Sequence, residues 1–323
     1  MAVNRLSVLA LLSLALLGCQ SAEWTHRYGA EHPFAGAIVD LRSQRVIDEP
    51  ALLAALETAD IVLLGETHDN RDHHLLQARL VRAMGASVNG VVFEMIDTDR
   101  QQALIQYLQL HPGDVEGLGP AIDWAASGWP EWSMYEPIAA AALDIDAQIV
   151  AGNLPKPAVE ALLVDGAKGL DPALAERAGL TEPLEPVLEA TMLKTISDAH
   201  CGLAPADRLP AMLLVQRGRD AMMADRLMAI RGRDKSVLIA GAGHVRRDWG
   251  VPLYLRRADP ALRVLSLAFI EIDPELTSLP IDMPYDFVWF TTRRQPYGFD
   301  PCKAFREQLK QLEAHAAEPP PIG

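Results

Sequence analysis

Cysteine is scarce here, with 3 in 323 residues, and no two stand at CxxC spacing. That excludes a disulfide-stapled miniature scaffold and a cysteine-rich zinc module. No apolar run approaches the roughly 20 residues that a transmembrane helix needs. Positive charge is also in deficit: 29 Lys and Arg stand against 43 Asp and Glu, for a net charge of -14. The basic residues are scattered rather than clustered, which excludes a nucleic-acid partner, since a phosphate backbone is held by grouped cations. No internal repeat or low-complexity segment is evident before the tail. Hydrophobic residues make up 50% of the chain, enough for a sizeable globular core.

The longest apolar stretch, Leu6 to Leu17, follows Arg5 and ends at Gly18 and Cys19. A weakly basic start, a short apolar run and a small residue make up a secretory signal, expected over residues 1–18. Leu16-Leu17-Gly18-Cys19 resembles the lipobox of bacterial lipoproteins, which implies lipidation of Cys19 and a membrane anchor. In that family Gln20 implies sorting to the outer membrane, facing the periplasm. An oxidising compartment leaves Cys201 and Cys302 free to form a disulfide.

The pattern of the mature chain is α/β, a mostly parallel sheet flanked by helices with a helical cap insertion. Ala37 to Asp40 and Arg45 to Ile47 read as a hairpin or edge strands. Ile61 to Leu64, Val91 to Phe93, Ile149-Val150 and Val237 to Ala240 are short apolar runs of the buried kind. Helical periodicity follows the first, through Leu76, Leu80 and Met84, and the second, from about Thr98 to Leu110. Leu262 to Ile272 and Phe287 to Phe290 read as later strands at one side, giving roughly six or seven strands. The divisions expected are a lipidated linker over 19–35, core over 36–154, helical insertion over 155–232, core again over 233–315, and a disordered tail over 316–323.

Parallel strands bring their carboxyl ends to one edge, where ligands bind. The residues that follow these strands are therefore informative: Glu66 and His68, Glu94, Gly152-Asn153, and His244. Two carboxylates and two imidazoles at one edge suit a divalent metal or a shared proton. Each could equally cap a helix or serve as an ordinary loop residue. His73 and His74, adjacent in a helix and about 100° apart, are expected on the surface rather than as joint ligands. Gln216, Arg219 and Asp220 share part of a helical face that could reach the edge from the insertion.

Leu63-Leu64-Gly65-Glu66-Thr67-His68, Phe93-Glu94-Met95, Gly128-Trp129-Pro130 with Tyr135-Glu136-Pro137, Gln216 with Arg219-Asp220, and Gly241-Ala242-Gly243-His244 together resemble the ChaN family of haem-binding uptake lipoproteins. The two GxxH elements are also the signature of the wider Tiki superfamily, which includes metal-dependent proteases and erythromycin esterases. The resemblance implies haem as ligand, iron acquisition, a homodimer enclosing a stacked haem pair, and a haem importer as onward partner. Tyrosine and histidine are that family's haem contacts, and Tyr135 and His200 are the first candidates here, with Tyr254 and Tyr107 as further ones. Trp124, Trp129 and Trp132 around Tyr135 could wall a haem or simply pack the core. The alternative implied by the hydrolytic relatives is a metal-dependent peptidase or esterase using Glu66, His68, Glu94 and His244, assisted by Arg219.

Overall fold

A computed structural model describes residues 24–316 except 233 and 281. The expected signal peptide, Cys19, Gln20 and residues 317–323 of the expected tail lie outside the described residues. Eight strands form one sheet: β1 (Ile38–Asp40), β2 (Arg45–Ile47), β3 (Ile61–Glu66), β4 (Val88–Asp97), β5 (Gln148–Asn153), β6 (Lys235–Gly241), β7 (Val264–Glu271) and β8 (Phe287–Thr291). Their order is β2-β1-β8-β7-β3-β6-β4-β5. The six strands from β8 to β5 run parallel, and β1 pairs antiparallel with both β2 and β8. β3 is apolar over four successive residues because both its faces are covered; Ile61, Val62, Leu63 and Leu64 are each fully buried. Each such side chain contributes about 1.5–3 kcal/mol relative to exposure.

One face of the sheet carries α1 (Glu49–Glu57), α2 (Arg71–Met84), α3 (Gln101–Leu110), α4 (Leu118–Ala121) and α5 (Trp132–Asp144), joined through Leu56, Leu80, Leu104 and Ile138 to Val62, Leu64 and Phe93. The other face carries α6 (Lys156–Asp165), α7 (Pro172–Ala178), α9 (Leu209–Ile230) and α10 (Val251–Ala258), joined through Leu162, Leu174, Leu227 and Leu255 to Leu63, Val92 and Leu238. The stretch between Pro155 and Gly232 is helical with no strand, as its pattern predicts. α8 (Pro186–Ala199) stands apart from both layers on a small cluster of Met192, Leu213 and Trp249. Cys201, just past α8, is disulfide-bonded to Cys302 at the start of α11 (Pro301–Ala316).

The segment from Trp24, expected to be linker, is fastened to the body. Asp72, in the first turn of α2, accepts hydrogen bonds from Thr25 N and Oγ1, both at 2.8 Å, from His26 N at 3.2 Å and from Thr292 Oγ1 at 3.0 Å. Tyr28 makes an antiparallel bridge with Arg293. Asn70 caps α2, accepting from Asp72 N at 3.0 Å.

Candidate functional site

β3 and β6 are parallel neighbours in a register that sets Glu66 opposite Gly241. Their two GxxH elements consequently interlock, each glycine making room for the other element. A Cβ on Gly65 would lie 2.4 Å from Val245 Cγ2 and 3.0 Å from Ala242 Cα. One on Gly241 would lie 2.9 Å from His68 Nε2. The glycines serve close approach, and it brings the two histidines to one edge.

Glu66 is buried beneath three aromatic side chains. Its Oε1 lies 3.0 Å from His68 Nδ1 and accepts from Tyr135 OH at 3.2 Å. Its Oε2 lies 3.1 Å from His74 Nε2, in a contact angled away from hydrogen-bond geometry. Burial alone would raise the Glu66 carboxyl, but the neighbouring His74 and His68 outweigh it and hold the group far below the usual carboxylate range. For His68, burial opposes charging, yet the bond to Glu66 and the nearby Glu94 carboxylate raise it. Tyr135 is driven strongly upward by burial and then by the Glu66 charge, so its hydroxyl keeps its proton.

Glu94 anchors the second half. Its Oε2 accepts from Gly241 N at 2.7 Å, and its Oε1 lies 3.0 Å from His244 Nε2. The other ring nitrogen of His244 lies 2.6 Å from Asp220 Oδ1, on α9, with the Gln216 amide 3.1 Å away. A histidine between two buried carboxylates is a cation in a cage. Burial by itself disfavours that charge, but Glu94 and Asp220 push His244 up to about 10. In return burial, the largest influence on Glu94, is overcome by His244 and the carboxyl falls to about 2. Burial keeps Asp220 above its ordinary value despite the same partner. The arrangement can store and relay protons. His68, with about 34% of its side chain exposed, is its opening to solvent, and Trp129 packs edge-on against that ring at 4.7 Å.

Glu66, His68, Glu94 and His244 therefore meet as the strand ends imply. Gln216 and Asp220 reach them from α9. Arg219 makes no hydrogen bond or ion pair among the described residues, and its Nε is buried without a partner. Asn153 is buried and turns its Oδ1 onto Leu154 N. The surface placement expected for His73 and His74 is corrected: both are fully buried. His73 Nδ1 accepts from Thr67 N at 2.9 Å, so Nε2 carries the proton to Thr291 Oγ1 at 2.8 Å. Burial lowers this ring to about 3, consistent with a neutral histidine. His74 stacks on Tyr135 at 4.4 Å between ring centres and belongs to the site. The two rings point apart as helical geometry requires, but β8 and residues 25–26 cover the side that periodicity assigns to solvent.

The remaining candidates fall elsewhere. Trp124 and Trp132 pack against each other and donate to Pro130 O and Val115 O, so they are core side chains with satisfied indoles. Tyr135 is fully buried within that cluster. Tyr107 donates to Asp114. Tyr254 is buried and accepts from Arg217 Nε at 3.4 Å. His200 is half-buried just past the end of α8, its Nδ1 2.8 Å from Ile196 O. Among the described residues no three His, Cys, Asp or Glu side chains converge as a metal-holding group.

No curated protein sequence matches the chain. Among solved structures it is similar to ChaN of Campylobacter jejuni, described by its cofacial haem binding, at 20% identity and a TM-score of 0.61, covering 78% of this chain and 95% of that one. It also aligns with the type III effector HopBA1 at 13% identity, TM-score 0.43, covering 75% and 92%. An erythromycin esterase, EreC, in its open conformation aligns at 16% identity, TM-score 0.39, covering 88% and 87%. The profile of the family described as haem-binding uptake, Tiki superfamily, ChaN matches residues 52–255, more than half of the sequence. With both GxxH elements and the parallel sheet behind them, the chain belongs to the ChaN family of haem-binding uptake proteins.

Proposed function

We propose that this protein is a lipid-anchored haem carrier of iron acquisition, tethered through Cys19 to the outer membrane and facing the periplasm. In this reading it holds haem at a surface completed by a second copy and passes it toward an importer. The observation that carries the proposal is the state of His200. Ile196 O can only accept, so Nδ1 of His200 is the donor and the Nε2 lone pair is left without a protein partner. Ligating histidines are commonly oriented in this way, with the other ring nitrogen fixed on a backbone carbonyl. Exposed Leu203 stands beside it, its N bonded to His200 O, as an apolar contact for a flat ligand. Tyr135 fits an iron position poorly, since its hydroxyl is enclosed and committed to Glu66. Haem, when bound, would supply a ferric iron that the His200 imidazole could ligate. This chain supplies the oriented nitrogen and, on dimerisation, the exclusion of water.

The test is to titrate the mature protein with haemin while following the Soret band and the sedimenting mass. Saturable binding that is lost in His200→Ala, kept in Tyr135→Phe and accompanied by a doubling of mass is expected. Weak, nonsaturable association that is the same in wild type and His200→Ala would overturn the reading.

A hydrolytic reading has one observation in its favour. His68 is the member of the Glu/His cluster open to solvent, as a general base must be. Hydrolysis of a p-nitrophenyl ester that disappears in His68→Ala, with haemin binding intact, would support it.

A further inference from the structure

Away from the Glu/His cluster, a cavity of about 590 Å³ opens between α10, the turn after β1 and the starts of β7 and β8. Three arginines line it: Arg42 from the turn, Arg247 from the loop after β6, and Arg256 from α10. Their bonding is unequal. Arg247 makes one ion pair, from NH1 to Asp286 Oδ1 at 2.9 Å. Asp286 also accepts from Ser266 N at 2.9 Å and Oγ, so its carboxylate is shared out. Asp248, the other acid of the cavity, is held by both guanidinium arms of Arg246. The side chains of Arg42 and Arg256 have no hydrogen bond or ion pair among the described residues. Burial, and then the charge of Arg247, hold Arg256 below its ordinary value, and Asp248 only partly offsets them.

Arg42 and Arg256 are exposed and carry no directed partner, although a chain with net charge -14 has carboxylates to spare for neutralising them. Leaving them unpaired is the electrostatic pattern of a site waiting for an anion. The guanidinium fork matches carboxylate and phosphate oxygens in pairs. Part of the wall is apolar, through Leu41, Pro252, Leu262 and Val264, and the volume falls within the usual range for small-molecule pockets.

We propose that this cavity is a second ligand site, which takes an amphiphilic organic anion: a carboxylate or phosphate held by Arg42 and Arg256, with its apolar portion on the floor of Leu41 and Val264. This site shares no residue with His200 or with the Glu/His cluster, and its occupancy is independent of haem.

Isothermal titration in phosphate-free buffer tests it with four probes: octanoate, octyl phosphate, octanol and inorganic phosphate. One or both octyl anions should bind saturably, and octanol and inorganic phosphate far more weakly. Arg256→Ala and Arg42→Ala should each weaken the octyl anion by about tenfold or more, the effect of losing a charge-assisted bond. Arg256→Lys should recover part of the loss, and circular dichroism of each variant checks the fold. Preference for octanoate identifies a carboxylate ligand, and preference for octyl phosphate a phosphate. Octanol binding as tightly as either anion, inorganic phosphate binding as tightly as octyl phosphate, anion binding indifferent to both arginines, or no binding at all would overturn the proposal.

Discussion

His244 Nδ1 lies 2.6 Å from Asp220 Oδ1, a bond that joins the loop after β6 to the middle of α9. Because Glu94 and Asp220 outweigh burial and raise the ring from an ordinary 6.5 to about 10, this histidine stays charged in the folded protein where it would be neutral in the unfolded one. A raised pKa contributes stability that is complete below 6.5 and disappears as pH climbs through 10. Urea unfolding is expected to show a progressive loss between those limits. Asp220→Asn should cost about 2 kcal/mol at neutral pH, the worth of a hydrogen bond to a charged group. A flat stability profile from pH 7 to 10 would show that the cage holds no proton.

The acid limb belongs to Glu94. Its carboxyl is depressed from 4.5 to about 2 because His244 overcomes the effect of burial. Such a group stabilises fully above 4.5 and ceases to do so as pH falls through 2. Glu94→Gln leaves the buried imidazolium without one of its two anions and should cost about 3 kcal/mol at pH 6. The variant should also unfold over a narrower acid range than wild type, read by near-ultraviolet circular dichroism. Identical acid midpoints would count against this assignment.

The interlocked glycines give an ordered pair of outcomes. Gly65→Ala drives a methyl into buried Val245 and the backbone at Ala242, and overpacking of this kind costs about 1–3 kcal/mol. Gly241→Ala meets the His68 ring, which is partly exposed and can swing aside. The cost there is the bond to Glu66, about 1 kcal/mol. Thermal unfolding should rank Gly65→Ala as the more damaging, and the reverse order would mean that His68 is fixed.

Cys201 and Cys302 are 101 residues apart, and their bond ties the exposed end of α8 to α11. Closing a loop of that length restricts the unfolded chain, and Cys201→Ser with Cys302→Ser should lower stability by about 2–4 kcal/mol. Guanidinium melts of the oxidised and double-variant proteins at equal pH measure it. Coincident curves would mean that α11 is anchored by other contacts.

The sheet and the four strand-end groups were legible because a single local rule suffices: short apolar runs alternate with helical periodicity, and parallel strands expose their carboxyl ends together. Asp220 could be read as sharing a helical face with Gln216, though its partner 24 residues further along could not. His73 shows where such reading stops. Its helix looks half exposed by periodicity, but residues 25–26 and Thr291-Thr292 close over it from opposite ends of the chain. The two GxxH glycines were visible as motif letters, while their reason, mutual clearance between β3 and β6, depends on a strand order that skips β4 and β5 in sequence.

Asp72 holds Thr25 and His26 against the body. If Cys19 carries acyl chains, as proposed, five peptide steps separate it from Trp24, the first described residue. Fully stretched, that leash spans at most about 18 Å. Under the proposed anchoring, a domain kept so near its membrane could not reach across the periplasm to fetch a ligand or deliver one; donor and acceptor would both have to come to the lipid surface.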